Sequence, residues 1–206
     1  MRTRGWQGAP PADDAEARER IIAATMRCID RYGPAKTGLS DVATELGVTR
    51  QTVYRLFPST EALFREVAGV AAQGFLDRLQ RRVADLTEPA DIVVEALAFT
   101  IERLPKEPYV GILLAAGDPA SFSMQVTATQ GFAVARAMVE RMPVDWPAAG
   151  FHGERLDELT EVMLRLLQSF SLDPGTPRSR AERRAFLHRW LGAAITAQQS
   201  AANAAP

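Results

Sequence analysis

The chain has 206 residues, enough for one domain or for a small one joined to a medium one, and 47% of them are hydrophobic. A formal net charge of −1 excludes a globally basic nucleic-acid-coating protein, so any nucleic-acid contact must come from a local patch. Cys28 is the single cysteine and His152 and His188 the only histidines, which excludes an intrachain disulfide and a Cys/His zinc site; no metal or cofactor is expected.

Residues 1–12 are rich in Gly, Pro and Arg and are expected to form a tail without fixed structure. Arg2 and Arg4 could reach a minor groove as an arm, although a plain tail is the simpler reading. Asp13 with Glu16 reads as a capping-box start. Ile21, Thr25, Cys28, Ile29 and Tyr32 then share one helical face, and Gly33-Pro34 stops that helix. Leu39, Val42 and Leu46 form the buried face of a second helix with Ser40 at its start. Ala43, Gly47 and Val53 stand at the offsets of a helix-turn-helix. Ala43 is small where the next helix crosses, Gly47 supplies the positive φ of the turn, and Val53 points inward. Thr49 is the expected N-cap of a third helix ending near Phe57, about 13 Å long and close to the roughly 12 Å width of a major groove. Its outer face, Arg50, Gln51, Thr52, Tyr54 and Arg55, is polar and basic with no carboxylate.

A long helix follows from Ser59 to about Leu86, broken by Glu88-Pro89. Further helical stretches are expected at about 90–104, 109–117, 120–142, 154–171 and 179–198, separated by Pro- and Gly-containing breaks. No alternating β-branched run is present, so the expected class is all-α. Residues 1–57 hold nine Lys/Arg against seven Asp/Glu, and residues 58–206 fifteen against eighteen, a mild asymmetry. No apolar run reaches the length of a membrane span and the start has no signal-peptide core, so a cytoplasmic protein without membrane association is expected.

The run Val42-Ala43, Gly47-Val48-Thr49, Tyr54, Phe57, Ser59 and Glu61-Ala62-Leu63 resembles the N-terminal DNA-binding signature of TetR/AcrR-type transcriptional regulators. Two positions depart from that pattern: Thr60 stands where lysine is common and Leu56 where an aromatic or histidine is common. The resemblance implies a three-helix DNA-binding domain over 13–58 and a helical ligand-binding and dimerisation domain over 59–206. It implies base or phosphate contacts by Arg50, Gln51, Thr52 and Arg55, and phosphate contacts by the hydroxyls of Thr37, Thr49 and Tyr54. Tyr54 could instead belong mostly to the small core.

For the second domain the resemblance implies a pocket for a small hydrophobic ligand, with Phe99, Met124 and Phe132 as candidate walls and Gln125 or Thr129 as orienting polar groups. Plain core positions are the alternative for each. Trp146 could cover a pocket mouth or pin down the loop it sits in. Two apolar stripes, one through Leu156, Leu159, Val162, Met163, Leu166 and Phe170 and one through Phe186, Trp190, Leu191, Ala194 and Ile195, fit the intersubunit four-helix bundle of TetR-like proteins, or ordinary core. Leu159, Met163, Leu166, Phe186, Trp190 and Ala194 are the residues expected to pair.

The expected function is a homodimeric one-component regulator, a repressor, that binds a palindromic operator and leaves it when ligand binds. The alternative is a helical ligand-binding protein with weak or lost DNA binding. An enzyme is not expected, since no GxSxG, P-loop or HExxH motif occurs and the two histidines have no nucleophile signature nearby.

Overall fold

Side-chain caps at Asp13, Thr49 and Ser179 set where three of the described helices begin. The computed structural model describes residues 5–107, 109 and 129–204, and every regular element among them is helical. The chain divides into two compact units, one of residues 1–73 with 108–113 and one of residues 74–107 with 114–206.

In the first unit, α1 spans Asp14–Tyr32 and Asp13 caps it, its carboxylate accepting the Glu16 N–H at 2.8 Å. The reciprocal half of the box is displaced by one residue: the Glu16 carboxylate accepts the Ala12 N–H at 2.6 Å. α2 spans Leu39–Leu46, opening one residue ahead of Ser40 because the Asp41 carboxylate accepts the Gly38 N–H at 2.8 Å. It ends at Gly47, whose φ of +65° and ψ of 29° are left-handed and open to glycine without a Cβ clash. α3 spans Arg50–Leu56, and Phe57 leaves it in an extended conformation, as a residue before proline must.

Ile21 and Cys28 of α1, Val42 and Ala43 of α2, Val53 of α3 and Leu63 of α4 (Thr60–Val83) are at most 3% exposed and close one small core. Burial pushes the Cys28 thiol up from its ordinary value, which keeps it protonated and unreactive. Trp6 packs partly buried against this core from a short 3₁₀ turn over Trp6–Gly8, within the leader where composition predicted a tail. Tyr109 packs on the same core, and its hydroxyl donates to Asp30 at 2.6 Å. Burial, with the Asp30 carboxylate beside it, pushes that phenol up to about 12.

The second unit is organised around α5 (Pro89–Arg103), which is buried at Val93, Val94, Leu97, Ala98 and Ile101. α6 (Thr129–Glu140), α7 (Glu154–Leu172), α8 (Arg180–Leu187) and α9 (Ala193–Ala204) complete its described part. A single wide π turn over His188–Gly192 joins α8 to α9, so the helical path expected over 179–198 runs from Arg180 to Ala204. Of the stretches expected at 109–117 and 120–142, only Tyr109 and the part from Thr129 lie within the described residues.

Trp146 pins its loop: the indole is 4% exposed, donates to the Val139 carbonyl at 2.9 Å and meets Phe151 edge-on at 6.1 Å. Gly150 in that loop lies so close to α9 that a Cβ would stand 2.7 Å from the Ala202 Cβ. Charge fixes α8 to α5. The Arg184 guanidinium donates to Glu95 at 2.6 and 2.8 Å and to Glu102 at 2.8 Å, and Arg82 reaches Glu95 at 2.6 Å.

Candidate nucleic-acid interface

The short helix α3 has two faces with opposite chemistry. Val53 is fully buried beneath it, while Arg50, Gln51, Tyr54 and Arg55 are exposed and Thr52 is half-buried. Burying a valine of this kind is worth about 1.5–3 kcal/mol, which fixes the rotation of the helix and so which side chains face out. Thr49 sets the axial register: its hydroxyl oxygen accepts the Thr52 N–H at 3.2 Å, and the Thr49 and Thr52 hydroxyls lie 2.8 Å apart.

The two arginines are held differently. Arg50 donates to the Tyr54 hydroxyl at 2.6 Å, one turn along, with its guanidinium carbon 4.9 Å from the ring centre. It is thus oriented by a neutral partner and keeps its remaining donors. Arg55 makes two hydrogen bonds, 2.9 and 2.7 Å, to the Asp14 carboxylate at the start of α1. That pair holds Asp14 below the ordinary aspartate range and Arg55 above its own. Both partners are exposed, so water screens the pair and a phosphate can compete for the guanidinium.

Thr37 lies apart from this group. It is 5% exposed and its hydroxyl donates to the Gly33 carbonyl at 2.9 Å, closing the turn between α1 and α2. Sequence reasoning also missed a brace behind α3. Arg18 of α1 donates to the Leu56 carbonyl at 2.9 Å, lies 4.4 Å over the Phe57 ring and pairs with Glu66 at 3.3 Å. The only sequence signal for it is a basic residue on the solvent side of α1, which spacing does not tell from any other.

In the second unit an apolar cavity of about 80 Å³ lies among α5, α6, α7 and Leu79 of α4, with Leu97, Met138, Met142, Met163 and Leu167 in its walls. Thr100 and Thr160 add two hydroxyls, each donating to the carbonyl one turn back, Ala96 at 2.8 Å and Leu156 at 2.7 Å. Phe99 and Phe132 do not line it. Phe99 packs on Phe75, ring centres 5.5 Å apart, beside Val83 and Ile92; Phe132 is half-buried on α6. Met124 and Gln125 lie outside the described residues, as do the surroundings of the Thr129 side chain.

The residues expected to pair two subunits also divide. Leu159 and Met163 are 6% and 8% exposed in the protomer's own core, with Leu166 and Phe186 at its edge. Trp190, 68% exposed, and Ala194 face solvent, and Val162 on α7 is exposed as well. No helix among the described residues is long and apolar enough to cross a membrane.

Residues 21–67 match the model for bacterial regulatory proteins of the tetR family. Over 190 residues the chain is 24% identical to an uncharacterized HTH-type transcriptional regulator of Mycobacterium tuberculosis, covering 92% of this chain and 90% of that protein. Among solved structures, a TetR/AcrR-family transcriptional regulator from Thermobifida fusca superposes with a TM-score of 0.56 at 18% identity, over 85% of this chain and 96% of that one. FadR of Thermus thermophilus, a TetR-family transcriptional repressor solved with lauroyl-CoA, gives 0.54 at 19% identity, over 84% and 92%. These structural likenesses are of fold.

Proposed function

We propose that this TetR-family transcriptional regulator works as a homodimeric repressor, gripping a palindromic operator through α3 and releasing it when an apolar small molecule enters the second unit. The observation that carries the reading is the outward cationic face of α3 over a buried Val53. On this reading Arg50, Gln51 and Thr52 address base edges, while Arg55 and the hydroxyls of Thr49 and Tyr54 hold the phosphate backbone. Thr37 supports the turn ahead of α2.

Two α3 helices need a spacing of about 34–36 Å to enter successive major grooves, which only a dimer supplies. The exposed Trp190, Val162 and Ala194 favour a pairing surface on α7, the π turn and α9. That would pair a narrower set of side chains than the stripes alone suggest, because Leu159 and Met163 already pack within the protomer.

The cavity favours an uncharged, apolar contact, and the acyl chain of the lauroyl-CoA bound by the FadR relative is a ligand part of that kind. At about 80 Å³ it is well below the roughly 300 Å³ at which ligand pockets begin, so entry must enlarge it. Methionines such as Met138 and Met142 can repack for this. A ligand that prefers the enlarged form weakens operator binding by the factor by which the operator weakens ligand binding. α4 contributes residues to both units and is the covalent element through which the change would pass.

Selection of bound duplexes from a random library tests the reading. The expected product is an inverted repeat whose half-sites lie one helical turn apart, or a multiple of it. Failure to enrich any sequence would leave a helical ligand-binding protein without operator binding.

A further inference from the structure

Three of the chain's six methionines, Met138, Met142 and Met163, border the apolar cavity of the second unit. Met138 stands in the last turn of α6 and Met142 lies one turn further on, so both side chains reach the same space. Both are half-buried, whereas Met163 of α7 is 8% exposed. A small solute can therefore reach the first two from outside, while the third is enclosed. The chain's single thiol offers no competing chemistry. Cysteine reacts with oxidants as the thiolate, and Cys28 is 1% exposed and kept protonated in the core of the first unit. A thioether needs no ionisation before it takes up oxygen.

The hydrogen-bond inventory of the wall decides what an oxidised methionine does there. A sulfoxide oxygen is a strong acceptor and needs a donor. The Thr100 and Thr160 hydroxyls have one hydrogen each, already given to the Ala96 and Leu156 carbonyls. The other described wall residues are apolar, and a cavity of about 80 Å³ lined in this way stays dry. A buried acceptor without a partner shifts an equilibrium by roughly tenfold or more. The oxidised side chain must turn out to water, which removes it from the wall and widens the cavity. Entry of an apolar ligand demands the same change. We propose that Met138 and Met142 form a reversible oxidation site, and that their conversion to sulfoxides by a peroxide releases the operator as ligand entry does. In each conversion the O–O bond breaks and an S–O bond forms. Sulfur gives up two electrons, and the second peroxide oxygen leaves as water with both protons. The inference rests on the cavity being the site that governs operator release, and adds an input that needs no bound molecule.

The test exposes full-length protein to graded hydrogen peroxide, maps the added oxygen by peptide mass and titrates the selected operator after each exposure. Met138 and Met142 should gain oxygen ahead of Met163, with Cys28 unmodified, and operator affinity should fall by roughly tenfold. The two methionine sulfoxide reductases, one for each sulfoxide epimer, should restore it. A Met138→Leu/Met142→Leu variant, a swap that cores tolerate well, should keep its own untreated affinity through the same exposure. Met26→Leu removes the one other methionine among the described residues, on the core of the first unit, and should lose affinity as wild type does. Three results overturn the oxidation site while leaving α3 intact as the reader: affinity lost in the Leu/Leu variant, Met138 and Met142 left unoxidised in wild type, or unchanged affinity with both oxidised. An untreated wild type that binds no duplex overturns both.

Discussion

Arg55 and Arg184 each hold carboxylates at hydrogen-bond distance, yet their surroundings differ. Arg55 and Asp14 are 58% and 63% exposed at the side chain, on the surface of the first unit. Arg184 is 24% exposed and its partners Glu95 and Glu102 are 12% and 14%, inside the second unit. Water screens the first pair and leaves it exchangeable; partial burial makes the second a fixture, because without Arg184 the two shielded glutamates would keep only Arg82 and the more distant Arg180 as partners. The Arg184 guanidinium is accordingly held far above the usual arginine value by Glu95 and Glu102. The same residue type thus sits in an exchangeable surface pair in one unit and serves helix docking in the other.

The largest expected effect comes from breaking the buried network. Arg184→Ala should destabilise the second unit by about 3 kcal/mol, read in urea unfolding followed by Trp146 and Trp190 emission, with the Trp6 signal of the first unit little changed. Next in size is the backbone of the turn. Gly47→Val places a β-branched side chain at φ +65° and should cost about 1–3 kcal/mol in the first unit, measured by the same unfolding through Trp6. Thr49→Ala removes the cap and should cost about 1 kcal/mol, with a loss of operator affinity beyond that explained by unfolding.

Acid sharpens the contrast. Burial pushes the Glu95 carboxyl up, but its hydrogen bonds to Arg184 and Arg82 outweigh this and leave it below the ordinary glutamate value. A depressed carboxyl contributes stability above its unfolded value of about 4.3 and loses it as pH falls through the folded one. The second unit should therefore weaken below about pH 4, and Glu95→Gln should show less of that acid dependence from a lower neutral stability. The smallest effect is expected at the exchangeable pair. Asp14→Asn should leave the melting temperature unchanged and raise operator affinity by roughly twofold, because the phosphate no longer competes with a carboxylate for Arg55; an affinity loss would mean that Asp14 positions Arg55 instead.

The helix-turn-helix is legible because local sterics dictate it. Gly47 must be left-handed, Ala43 must be small and Thr49 must cap, and each of these constraints is satisfied within a few residues of chain. The pairing of Arg55 with Asp14, 41 residues away, has no such local signature, nor does the Arg18 brace or the anchoring of Trp6. In the second unit helical periodicity marks which residues are apolar but not which neighbour they meet. Leu159 and Trp190 read alike in the sequence, yet one is core and the other open surface. The cavity takes methionines from α6 and α7 while Phe99 packs against Phe75, an outcome of how three helices cross that no single stripe encodes.

Operator binding as proposed depends on α3 presenting its cations to a duplex. Operator affinity measured across a range of salt for wild type and Arg50→Ala addresses this directly. Binding that falls steeply with salt in wild type, and a variant weakened by roughly ten- to hundredfold with relaxed preference at one base pair of each half-site, is the predicted result. Equal affinity and equal sequence preference for the two proteins would contradict it.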